Sequence, residues 1–124
     1  METKESIRPV LEVSLNTSEK TAIEKFQNVT LRPIIKLQHD LVVAFFMHYV
    51  QSKKIDLSAL SELKKTELVY KIFKSDNALK TEVKGLIIGH FTVAEYENYL
   101  PIASDANKRI WAMVSQRLLS VYKK

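Results

Sequence analysis

Cysteine is absent from the chain, which excludes disulfides, thiolate metal sites, thiol nucleophiles and iron–sulfur clusters together. Glycine occurs twice and proline three times, fewer turn residues than an all-β domain of 124 residues needs. No apolar run reaches the roughly 20 residues that cross a bilayer. Lys36, His39, Asp40 and His48 interrupt the best candidate. The first thirty residues show neither a signal-peptide core nor an Arg-rich, acid-free transit pattern, so a cytoplasmic location and no membrane partner are expected. Arginine is scarce too. Only Arg8, Arg32, Arg109 and Arg117 stand among nineteen basic residues. Phosphate and base recognition favour arginine's planar fork, so the net charge of +5 reads as a solvated lysine surface and nucleic-acid binding is not expected.

What is present points to helices. The hydrophobic fraction of 46% and the charged fraction of 27% suit one globular domain. Seven apolar residues stand in a row from Leu41 to Met47. On a helix such a run covers the whole circumference, which predicts an element enclosed on every side by the rest of the chain or by a second copy. The expected fold is therefore all-α: a single compact bundle of about six helices around this central buried helix, with an extended N-terminal arm. Residues 1–17 form the arm, since Leu11, Val13 and Leu15 alternate with Glu12, Ser14 and Asn16 at the period of a strand that has no partner strand. It either lies over the helices or pairs with its twin in a dimer.

Residues 18–124 form the helical domain. Ser18 caps a first helix ending near Asn28. A second runs from Thr30 to Lys53, with Pro33 in its first turn, where the missing N–H costs little. A third spans Ser61 to Lys74, with Lys64, Glu67, Lys71 and Lys74 outward and Leu68, Val69, Ile72 and Phe73 inward. Asp76 or Asn77 caps a fourth that ends at Gly89. Thr92 and Glu95 make a capping box for a short fifth, closed by Pro101. The last runs from Ser104 or Asp105 to Tyr122, with Ile110, Val114, Leu118 and Val121 on one side.

Few residues offer chemistry. His39 and His48 fall on opposite sides of one helix and cannot share a metal, and no Glu-x-x-His or His-Glu-x-x-His occurs. No metal, no cofactor and no catalytic residue is expected. Asp40 lies on the otherwise apolar half of its helix and calls for a partner such as Arg8, Arg109 or Arg117. Gly85 and Gly89 form Gly-x-x-x-Gly, read as close approach of another helix together with a C-cap. The turn at Gly89 resembles a helix-turn-helix in spacing, yet the following helix carries Glu95 and Glu97, which phosphates repel. A pocket between helices would draw on His39, Asp40, His48, Tyr96 and Tyr99. Interface candidates are Leu11, Val13 and Leu15 on the arm, Val43 and Met47 on the second helix, and Trp111 at the edge of the last.

The segments Glu5–Glu12, Phe26–Pro33, Gln38–Leu41 and Lys84–Gly89 resemble a group of short bacterial all-helical proteins without established function. Some members carry a glyoxalase label. Glyoxalases of the paired βαβββ type use strands that present His and Glu to a metal, a pattern this helical sequence lacks, and the resemblance implies no catalytic residue. The leading expectation is a non-catalytic helical protein acting through association, foremost with itself as a homo-oligomer. A small-ligand protein or enzyme with an inter-helix pocket is the alternative, and weak nucleic-acid binding through the lysines of the second half is a third.

Overall fold

A computed structural model describes residues 21–122, and 87% of these are helical, in five long runs and one short 3₁₀ turn (Leu57–Ala59), with no strand among them. The arm, with Leu11, Val13 and Leu15, lies outside the described residues.

The first run begins at Thr21, whose hydroxyl accepts from the Glu24 N–H at 3.2 Å. Three segments follow without a break: α1 (Ala22–Phe26), a π-helical turn (Gln27–Leu31) and α2 (Arg32–Leu37). No boundary falls at Asn28 or Thr30, and Pro33 is therefore interior to a helical run. There its ring crowds the carbonyl four residues back and supplies no N–H. The turn before it is widened to the π form, with the Arg32 N–H bonded to the Gln27 carbonyl, and the helix passes through.

The long second helix expected from Thr30 to Lys53 is interrupted at Gln38, whose ψ of 5° departs from the helical value. Its side chain donates to the Leu86 carbonyl at 3.1 Å, tying the interruption to a neighbouring helix. Helix α3 (His39–Ser52) follows, and closes on Lys54 at φ 58°. The Ile55 N–H reaches back to the Val50 carbonyl at 2.8 Å, the long bond of a Schellman motif with lysine where glycine is usual.

Polar caps start the next three helices, and here local sequence was sufficient. Ser61 caps α4 (Glu62–Ser75), Asp76 caps α5 (Asn77–Ile88), and the Thr92–Glu95 capping box opens α6 (Val93–Tyr99). Pro101 does not end that helix. A 3₁₀ turn at Leu100–Ile102 leads directly into α7 (Ala103–Tyr122), so the expected fifth and sixth helices are one run.

The core corrects the central expectation. Helix α7, not α3, is the element around which the others gather. Its Ala106, Ile110, Val114, Ser115 and Leu118 are all within 1% of complete burial, and it touches α1 through α5. Only one side of α3 is buried, through Val42, Phe46 and Val50, with Val43 and Phe45 half-covered at its margins. Its other side is open: Leu41 is 50% exposed, Met47 43%, and Ala44 and His48 are exposed as well. Seven consecutive apolar residues permit enclosure, but among the described residues α3 sits at the edge of the bundle and has neighbours on one flank alone.

Aromatic rings fill two regions of this core. Phe46 stacks on Phe73 with centroids 6.2 Å apart, and Phe91 meets Phe26 and Tyr99 edge-on at 5.6 Å each. Gly85 needs no close neighbour, because an added Cβ there would meet nothing within 4 Å. The close-approach reading of Gly85 is thereby overturned, whereas Gly89 is the C-cap of α5 as expected. No described helix is long and apolar enough to cross a membrane.

Candidate functional site

The five pocket candidates do not converge. Asp40 and His48 are exposed on α3, so Asp40 needs no buried partner, and His48 is not a core residue. Arg109 and Arg117, expected as partners for Asp40, are engaged elsewhere: Arg109 donates to Gln27 Oε1 and Arg117 lies 3.4 Å from His39 Nδ1. The second contact is a hydrogen bond for the imidazole tautomer protonated on Nε2. Tyr99 is buried and donates to Asn107 Oδ1 at 2.6 Å; burial pushes its hydroxyl pKa up. Tyr96 is exposed and stacks on Tyr99 at 5.9 Å. Among the described residues, surface clefts of about 350 to 430 Å³ open elsewhere, and none of the five residues lines them. Among the described residues no group of three or more His, Asp or Glu side chains could hold a metal ion.

Trp111 is half-buried rather than open. Its indole N–H donates to the Lys80 carbonyl at 3.1 Å, and the Lys80 ammonium sits 4.2 Å from the ring centroid.

A polar pair that sequence reasoning did not join links α3 to α5. Tyr49 donates to Asp76 Oδ2 at 2.6 Å, while Oδ1 of the same carboxylate accepts the Leu79 N–H at 3.0 Å. Burial first, and then the Asp76 bond, push the Tyr49 hydroxyl from 10.0 up to about 12. The bonds from Tyr49 and Leu79 hold Asp76 below the usual carboxylate range. A phenol this hard to ionise is a weak acid that keeps its proton near neutral pH, and the carboxylate is committed to capping a helix. The pair ties two helices together and is not poised for proton transfer.

Its two pKa shifts have opposite consequences. Asp76 is depressed when folded, so its stabilisation is present above the ordinary carboxylate pKa of 3.8 and is lost as pH falls through the folded value. Tyr49 is raised, so its stabilisation is present below 10.0 and is lost as pH rises toward about 12. Thermal unfolding followed from pH 3 to 11 is expected to show both arms. Tyr49→Phe should flatten the alkaline arm. An unchanged alkaline slope in that variant would refute the assignment.

The remaining candidate surface is the outer face of α3. Leu41, Ala44 and Met47 recur at three-residue spacing, and Asp40, Ala44 and His48 at four-residue spacing, so two stripes cross at Ala44. All five of these residues are exposed. Another apolar stripe, Val93, Tyr96 and Leu100, is exposed on α6 and its 3₁₀ extension. Glu97 accompanies it on the same side.

No family model, curated protein or solved structure matches the chain. The functional reading therefore rests on the geometry of these surfaces.

Proposed function

We propose that the protein is a non-catalytic helical protein that acts by associating with a second copy of itself through the outer face of α3. One observation carries the reading: the face is self-complementary about Ala44. An antiparallel pairing across a two-fold axis at Ala44 places residues equally far before and after it opposite each other. Leu41 then meets Met47 of the second copy, and Asp40 meets His48, each contact occurring twice. The small side chain at the crossing point lets the helix axes approach to the lower end of the usual range, about 8 Å. The α6 stripe is less suited to such symmetry. An axis near its centre brings Glu97 close to its own copy, and like charges repel.

A single helix face buries less than the roughly 800 Å² per partner of a standard interface, so dissociation constants of about 10–100 µM are expected. Sedimentation equilibrium measures this directly. The wild-type chain is expected to dimerise in that range, and Ala44→Arg to weaken dimerisation at least about tenfold by placing two guanidiniums at the axis. The exchange Asp40→His with His48→Asp should preserve the dimer, because it reverses each pair without unpairing it. A wild-type chain that stays monomeric, or an Ala44→Arg variant that dimerises equally well, sinks the reading.

A further inference from the structure

The α1–α2 run and α7 lie side by side with the same chain direction, as their cross-links show: Gln27 bonds Arg109 at one end and His39 meets Arg117 at the other. Every arginine among the described residues lies along this seam: Arg32, Arg109 and Arg117. Such clustering is unexpected in a chain whose other described cations are lysines.

At the second cross-link opens a cleft of about 430 Å³, lined by Arg32, Lys36, Met113, Gln116, Arg117 and Ser120. Helical spacing explains the convergence. Arg32 and Lys36 share one side of the first run, with His39 just beyond it at the start of α3, while Met113, Gln116, Arg117 and Ser120 share one side of α7. The lining holds three cations and no carboxylate. Asp40 follows Lys36 by one helical turn but is not part of the lining. The contacts that anchor the two α7 arginines go to an amide oxygen and an imidazole nitrogen, not to carboxylates, so no anionic partner cancels their charge there. Cations gathered in a concave site raise its potential and attract anions.

The chemistry selects among anions. Guanidinium forks match the oxygens of a phosphate bidentately, and Gln116 and Ser120 add neutral hydrogen-bonding groups. Half-buried Met113 supplies an apolar contact for a carbon skeleton. The stretch from Arg32 to His39 covers only about 10 Å of helix, which suits one phosphate head better than the many spaced contacts that hold a nucleic-acid backbone. From this we infer that the α2–α7 cleft binds a small phosphate monoester. The site shares no residue with the α3 face and is independent of self-association.

Phenyl phosphate is a suitable probe, titrated into the ¹⁵N-labelled full chain at constant ionic strength. Saturable chemical-shift changes confined to 32–39 and 113–120 are expected. Arg32→Gln and Arg117→Gln should each weaken binding about tenfold, and Lys36→Gln about threefold, as loss of charge-assisted hydrogen bonds in a partly solvated site implies. Arg32 and Lys36 are exposed, so their variants are expected to fold even if Arg117→Gln does not. Lys74→Gln, on the exposed face of α4, should bind as wild type does. Three results overturn the assignment: shifts that never saturate, shifts centred on the lysines of 64–84, or wild-type affinity in both exposed variants. Binding of a single-stranded oligonucleotide at the cleft with no response to phenyl phosphate overturns it as well.

Discussion

Leu118→Ala is expected to lower the free energy of unfolding by about 3 kcal/mol, whereas Leu41→Ala should change it by less than about 0.5 kcal/mol. Both residues are leucines within helices, and both sit in apolar stretches of sequence. They differ in surroundings. Leu118 has no exposed surface, on the helix that five others touch, so truncation loses its transfer free energy and leaves a cavity that packed neighbours cannot fill. Leu41 is half exposed on α3, and its truncation leaves no enclosed void. Urea denaturation of the two variants at a concentration below dimerisation separates them by their midpoints. Equal losses would mean that α3 is enclosed after all.

Lys65→Glu is the second large effect expected, a loss of about 3 kcal/mol or more. Lys65 is only 5% exposed, and its ammonium donates to the Tyr122 carbonyl at 3.0 Å. That carbonyl belongs to the last turn of α7, where unpaired oxygens concentrate partial negative charge. A carboxylate at this position would be buried against acceptors that it repels. Lys65→Met separates charge from packing. The thioether chain follows much of the lysine stem, so only the charge-assisted bond is lost, at about 1–2 kcal/mol. Calorimetric or urea unfolding of the two variants checks the order. If methionine and glutamate were equally harmful, loss of the ammonium–carbonyl contact would account for the whole effect and repulsion of the carboxylate for none of it.

Helix starts proved legible because capping is local. Ser61, Asp76 and Thr92 each lie within three residues of the N–H they accept, and the Glu95 half of the capping box is equally near. The sides of α4 and α7 were legible for a similar reason: Val69, Ile72 and Phe73, and Ile110, Val114 and Leu118, are buried at the spacing their periodicity implied. Val121 is the exception, at 43% exposure, on a final turn whose covered side is taken by Tyr122, which lies 6.3 Å from the Phe46 ring. The prolines misled. Pro33 and Pro101 suggested helix boundaries, yet one is passed by widening the backbone and the other by tightening it. The apolar run of α3 misled for a deeper reason. Composition tells how much burial a segment tolerates, while the positions of its neighbours decide how much it receives.

The candidate surfaces were less legible still. Asp40, Met47 and His48 could be singled out one by one, but their symmetry about Ala44 has meaning only once that side is known to be open. Gln27 and Arg109 are 82 residues apart, and Tyr49 and Asp76 are 27 apart. No local pattern couples such positions. Lys65 looked like one solvated lysine among fifteen.

The π turn before Pro33 gives the first helical run one residue more than an α-helical path of the same length would hold. An extra residue in a helix advances everything beyond it by about 100° around the axis. The turn therefore acts as a phase shifter between two sides of the same rod. Upstream of it, Phe26 is aimed at Phe91 and Tyr99; downstream, Arg32 and Lys36 are aimed along α7. Removal of the exposed Val29 would bring both halves into a common phase, and α7 could then be faced correctly by one half or the other, never by both.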